Sequence, residues 1–265
     1  MQYFIVDAFT DQPLRGNPAA VVLVDKVLTD EQMQAIAAEF NLSETAFLIN
    51  KEVESKTNNH WDLRWFTPTT EIELCGHATL ASAYALWFKT EQNKMPLTFH
   101  TQSGELTVSL RGETLLLNFP TLPTKPATLN DEQLAALQLK PVNVFTTEQD
   151  LFIEVESEQI VRNYQPNFAT IVTLQQRSLT ITAQAEGEVD FVSRMFGPKI
   201  GIPEDPVTGV VHCSLTPYWA EKLDKSRLKA YQASARGGFL TLELKGDRVS
   251  LGGKAYCTMQ GELLI

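Results

Sequence analysis

Two stretches decide the reading of this chain: "RWFTPTTEIELCGHATLASAYALW" (64–87) and "RMFGPKIGIPEDPVTGVVHCSLTPYWA" (194–220). Each carries Arg-x-Phe-x-Pro, then an acid, then a glycine five residues after it. The first copy uses Arg64, Phe66, Pro68, Glu71 and Gly76; the second uses Arg194, Phe196, Pro198, Glu204 and Gly209, with a three-residue insertion before Glu204. So short a frame also arises by chance, so it permits an internal duplication without establishing one. In both copies the glycine opens a helix-like segment. "ATLASAYALW" (78–87) is apolar nearly all round, which is the pattern of a helix buried on every side. Strands must then wrap around it. The expected class is α+β, with two pseudo-symmetric lobes, each a curved, mostly antiparallel sheet or barrel around a central helix, and the two glycine-led helix starts free to face one cleft.

The rest of the chain supplies the strands. "QYFIVDAF", "AAVVLV", "LRWF", "LTVSL", "TLLLNF", "LTITA", "VDFVSRMF" and "FLTLEL" are short alternating or solidly apolar runs separated by turn residues. Few helices are expected. "TDEQMQAIAAEF" begins with Thr29 and Gln32 at capping-box spacing, and "NDEQLAALQL" places Asn130 as an N-cap. Pro120, Pro123 and Pro126 crowd one linker and cannot join a central sheet. The boundary is therefore expected there, giving an N-terminal lobe over 1–120 and a C-terminal lobe over 127–259. The last residues, 260–265, can belong to the first lobe.

The 265 residues carry 32 acids and 22 bases, a net charge of -10, with no basic cluster able to neutralise a phosphate backbone. Nucleic acid is not an expected partner. "MQYFIVDAFTDQ" lacks the charged and apolar regions of a signal peptide, and no apolar run reaches membrane-spanning length, so no membrane association is expected. Cys75, Cys213 and Cys257 are odd in number and show no C-x-x-C spacing, which fits a reducing, cytoplasmic setting. Neither a Walker loop nor G-x-G-x-x-G is present. His60, His100 and His212 lack metal-ligand spacing, so the expected metal and cofactor content is none.

The chemistry gathers around the two glycines. A helix N-terminus offers unpaired N–H groups and about half a positive charge, which hold a carboxylate without a cationic side chain. Gly76–His77 and Gly209–Val210 would form two such ends; the plainer alternative is that both glycines only turn strand into helix. His77 lies just inside the first start, where a positive helix end disfavours imidazolium, and it is either a hydrogen-bonding catalytic ring or a structural one. Three acids stand out. Glu44 in "NLSETAF" shows no basic partner nearby in sequence, and desolvation would raise its pKa towards proton-transfer range. Glu73 and Asp205 precede the two helix starts, and all three acids also suit turns or caps. Cys75, ahead of a helix start, could be a thiolate base or a small buried residue. Its counterpart in the second frame is Thr208, so a two-thiol racemase looks incomplete.

Taken together, "FTDQPLRGNPAAVV" (9–22), "NLSETAF" (41–47), "RWFTPTTEIELCGHATLA" (64–81), "EDPVTG" (204–209), "ARGG" and "VSLGGKA" resemble the PhzF-like isomerases, named for a phenazine biosynthesis enzyme. The resemblance covers nearly the whole chain. It implies the diaminopimelate epimerase-like fold and a cofactor-independent isomerase acting on a small carboxylic acid, with Glu44 as acid/base and the active site in the cleft between lobes. It also implies that His77 and Asp205 position the substrate, alongside Gly76, Gly209, Val210, Cys75 and Thr208, and that the protein is a homodimer. One position departs from the family pattern: Val210 stands where a serine is common, removing a hydroxyl worth about 1 kcal/mol in a good hydrogen bond. A competing expectation is therefore a small-molecule sensor or protein-binding adaptor that keeps the fold.

Overall fold

A computed structural model describes residues 1–50, 59–90 and 95–265. Two compact units comprise Met1–Asn118 with Gly252–Ile265, and Phe119–Leu251. The chain returns to the first unit at Gly252, earlier than the expected 260. The reason is the strand Ala255–Glu262, which runs antiparallel to Gln2–Ala8 from Ala255 opposite Ala8 to Glu262 opposite Gln2.

In the first unit, Gln2–Ala8 pairs antiparallel with Asn17–Val24, which lies parallel to Glu44–Ile49. Glu44–Ile49 is antiparallel to His60–Phe66, and that strand is parallel to Leu97–Thr101, which turns back into Gly104–Arg111. In the second unit, Pro141–Thr146 pairs antiparallel with Asp150–Val155, which lies parallel to Ser178–Gln184. Ser178–Gln184 is antiparallel to Phe191–Gly197, that strand is parallel to Arg227–Gln232, and Arg227–Gln232 turns back into Gly238–Lys245. The two lists are the same sequence of pairings. A short strand also hangs from the long one in each unit: the two-residue Glu71–Ile72 on His60–Phe66, and the four-residue Ile202–Asp205 on Phe191–Gly197.

Side chains repeat along with the backbone. Arg64 donates through Nε and an Nη to both Glu71 oxygens at 2.7 and 2.8 Å, and Arg194 grips Glu204 likewise at 2.7 and 2.9 Å. Each guanidinium also lies over the phenylalanine two residues on, 5.2 Å from the Phe66 ring and 5.0 Å from Phe196. The Ser103 hydroxyl donates to the Glu73 carbonyl at 2.9 Å, and Ser234 to Pro206 at 2.8 Å. The frame read from the sequence is thus a repeated bidentate fork, a geometry lysine cannot supply. Its recurrence with the strand order establishes the duplication.

The inner strands Asn17–Val24, Asp150–Val155, Ser178–Gln184 and Phe191–Gly197 are buried on both faces, which is why "AAVVLV" reads as a continuous apolar run. In the first unit the helix Gly76–Lys89 packs against Gln2–Ala8, Asn17–Val24, Glu44–Ile49 and Ala255–Glu262. His77 to Ala83 are all buried along it. Close packing is visible at Gly253, where an added Cβ would come within 2.4 Å of the Phe9 ring. On the opposite face Met33, Ile36 and Ala37 of the helix Asp30–Phe40 meet Val22, Phe47 and Phe66. Thr29 and Gln32 close the capping box as expected. In the second unit the helix Gly209–Leu223 packs on Arg227–Gln232 and Gly238–Lys245. Asn130 caps Asp131–Leu137, and short helices Glu158–Asn163 and Phe168–Ile171, not expected from sequence, cover a second core around Ile153, Leu179 and Phe196. Pro120 ends the strand Thr114–Pro120, and Pro126 lies in a two-residue strand opposite Phe145, where no ladder donor is needed. Among the described residues no helix is long and apolar enough to cross a membrane.

Candidate active site

Glu44, His77 and Cys75 come together at the start of the first central helix. Asn41 leaves the helix Asp30–Phe40 in a left-handed conformation, and Glu44 opens the next strand, opposite Ala19 of its parallel neighbour. It is 7% exposed, and burial pushes its carboxyl above the ordinary carboxylate range. Gly76 opens the helix and Cys75 is its N-cap in extended conformation. One residue inside, the His77 Nε2 stands 3.2 Å from Glu44 Oε2, an ion-pair distance whose angle falls short of a hydrogen bond. The Cys75 Sγ lies 3.4 Å from His77 Nδ1. Cys75 and His77 are each 6% exposed. Glu44 therefore has an imidazole neighbour that local spacing does not reveal, because the packing of the helix Gly76–Lys89 on the strand Glu44–Ile49 brings residues 44 and 77 together.

Sequence spacing also gave no ligand cluster, yet Glu44, Cys75 and His77 offer donor atoms within 4.8 Å of one another. Carboxylate, thiol and imidazole suit a borderline ion such as zinc. The ring, however, presents Nδ1 to the thiol and Nε2 to the carboxylate, on opposite edges, whereas one ion takes a single ring nitrogen, so the side chains as placed are not set around one ion.

The second helix start carries a different set. Gly209 opens Gly209–Leu223 and Thr208 is the N-cap. The Thr208 hydroxyl donates to Asp205 Oδ2 at 2.5 Å, and Asp205 is 8% exposed. Gln232, which sequence reading missed, ties the turn together. Its Oε1 accepts from the Thr208 N–H at 2.8 Å, and its Nε2 donates to the Asp205 carbonyl at 2.8 Å. Nothing local marks Gln232, since it is delivered by the parallel pairing of Phe191–Gly197 with Arg227–Gln232. Behind them His212 places Nδ1 2.7 Å from the Thr208 carbonyl, which accepts, and burial lowers its pKa to about 4. Neither packing nor backbone demands glycine at 209: an added Cβ would meet only Leu251 Cδ1, at an ordinary 3.7 Å. Glu73 is exposed and contributes its carbonyl to Ser103, so it belongs to the turn.

The family model for phenazine biosynthesis-like proteins matches residues 6–261. The chain belongs to the PhzF family. An uncharacterised isomerase of Halalkalibacterium halodurans is 45% identical over 99% of this chain and 98% of its own length. A crystal structure of a PhzF family protein from Enterococcus faecalis shares 42% identity with a TM-score of 0.93, covering 100% of this chain and 99% of that one. A hydroxyproline epimerase from Agrobacterium vitis, 10% identical, superposes at a TM-score of 0.56 over 99% of this chain and 90% of that one. It shows the fold alone. The PhzF chain thus has the diaminopimelate epimerase-like α+β fold expected from the sequence, with few helices and mixed sheets.

Proposed function

We propose that this PhzF-family isomerase moves a proton within a small carboxylic acid, with Glu44 as both the base that removes it and the acid that returns it. The observation that carries the reading is Glu44 itself: a buried carboxyl, raised by desolvation, 3.2 Å from the His77 imidazole. A base that takes a proton from carbon must be ionised yet basic, and desolvation supplies that combination. The C–H bond breaks with its proton passing to Glu44, the electron pair is held in the conjugated carboxylate, and the same proton is delivered to another carbon or face. His77 orients Glu44, and the N–H groups at the Gly76 helix start favour the substrate anion. Asp205, with Thr208, Gly209 and Val210, is assigned to substrate positioning by the family resemblance. No cofactor enters this scheme, because carbon acidity next to an unsaturated carboxylate suffices for a positioned base.

The test is solvent exchange. Candidate acids from amino-acid and shikimate-derived pathways are incubated with enzyme in heavy water and followed by proton NMR. Isomerisation, or loss of a single C–H signal, is expected with wild type and not with Glu44→Gln. A wild type that neither isomerises nor exchanges any acid while binding one of them would turn the assignment to the sensor reading, which Val210 in place of a serine favours.

A further inference from the structure

We propose that Cys75 is a positioning residue whose thiol determines which nitrogen of His77 carries the proton, and so whether Glu44 faces a donor or an acceptor. This builds on the reading of Glu44 as the base. His77 bridges the two groups, with Sγ 3.4 Å from Nδ1 and Glu44 Oε2 3.2 Å from Nε2. A neutral imidazole has one N–H, so its two edges cannot both donate. If the thiol donates to Nδ1, the ring proton sits on Nε2 and faces the Glu44 carboxylate. If the ring donates Nδ1–H to a thiolate, Nε2 becomes an acceptor and Glu44 must hold the proton. The two arrangements contain the same protons and differ by their shift along the line from sulfur to carboxyl. An ionised Glu44, ready to act as base, corresponds to the first.

A second observation supports the role. An N-cap side chain ordinarily folds over its own helix to accept a free N–H. Cys75 makes no such cap, and neither does Thr208 at the equivalent place in the other unit. Each turns instead to a titratable neighbour, Cys75 to His77 and Thr208 to Asp205. The duplicated N-cap is used in both units to orient the group beside it, and the residue type differs with that group: a hydroxyl for a carboxylate, a thiol for an imidazole.

The test reads the tautomer directly and needs no substrate. Two-bond proton–nitrogen correlation spectra of 15N-histidine-labelled protein distinguish Nδ1–H from Nε2–H rings. Wild type is expected to show His77 with the proton on Nε2. Cys75→Ser, which keeps a donor, should retain it, and Cys75→Ala should shift His77 to a mixture or to Nδ1–H. His212, whose Nδ1 faces the Thr208 carbonyl, should be unchanged throughout and reports an intact fold. If Cys75→Ala does not fold, S-methylthiolation of the wild-type thiol removes the same donor and should give the same shift. A His77 tautomer indifferent to both changes overturns the proposal. That result would leave the Glu44 reading standing, and a failure of the heavy-water exchange would leave the tautomer result readable.

Discussion

Ile72 and Asp205 occupy the same position in the two units: Ile72 lies opposite Trp65 and Asp205 opposite Met195, each partner directly following the arginine of the repeated fork. The equivalence runs on through the pairings. Glu44 matches Ser178, since Thr45 and Leu179, one residue on, lie opposite Phe66 and Phe196 respectively. Cys75 matches Thr208, and His77 matches Val210. The duplication therefore kept the scaffold and changed the polar side chains mounted on it. One copy has the raised carboxyl and its imidazole; in the other, Ser178 donates to Asp150 at 2.8 Å and the acid has moved to Asp205.

Glu44→Gln should cut turnover about a hundredfold or more, the usual contribution of a positioned general base. The same variant should raise the melting temperature at neutral pH. Burial raises the folded-state pKa of Glu44, so the stability it contributes is full below the unfolded value of 4.5 and declines as pH rises through the folded one. Thermal melts across pH should show the variant's advantage vanishing in acid. An advantage that is absent at neutral pH would mean that Glu44 is not desolvated.

His212 should make the protein acid-sensitive in a defined window. Its folded pKa of about 4 lies below the ordinary 6.5, so the unfolded chain binds the proton first. Stability should be full above 6.5 and fall as pH drops towards 4, by about 3 kcal/mol in all. Urea melts of wild type and His212→Gln should differ in slope over that interval. Equal slopes would contradict the assignment.

Gly209→Ala tests whether the second helix start serves a ligand. The site has room for a methyl group, and alanine is the better helix former by about 1 kcal/mol, so the melting temperature should hold or rise. Activity should nonetheless drop on the order of tenfold if substrate approaches this backbone. Full activity would return Gly209 to a purely structural role.

Dialysis against a strong chelator should leave turnover unchanged. The experiment has force because Glu44, Cys75 and His77 offer donor atoms within 4.8 Å of one another. Loss of activity that zinc restores would replace the acid/base proposal with a metal centre.

Much of the fold could be read along the chain because its signals are local: the capping box at Thr29 and Gln32, the all-round apolar helix after Gly76, the strand runs, and the Arg–Phe–Glu–Gly frame. The acid/base candidate was visible as a carboxylate in an apolar context. What the sequence concealed depends on pairing between distant segments. Glu44 meets His77 because the helix Gly76–Lys89 packs on the strand Glu44–Ile49, and Gln232 meets Asp205 because the parallel pairing of Arg227–Gln232 with Phe191–Gly197 carries it there. The short helices Glu158–Asn163 and Phe168–Ile171 were missed because they are too brief for periodicity to register and are held by burial of Val161 and Ile171.

The strand Ala255–Glu262 has a consequence for how the molecule is made. The first unit's sheet takes its final strand from residues synthesised after the entire second unit, with Met1 and Leu263 joined at their backbones. The second unit is one uninterrupted stretch. On a ribosome it can close while the first still exposes the edge of Gln2–Ala8, an open template for unwanted pairing until the last residues emerge.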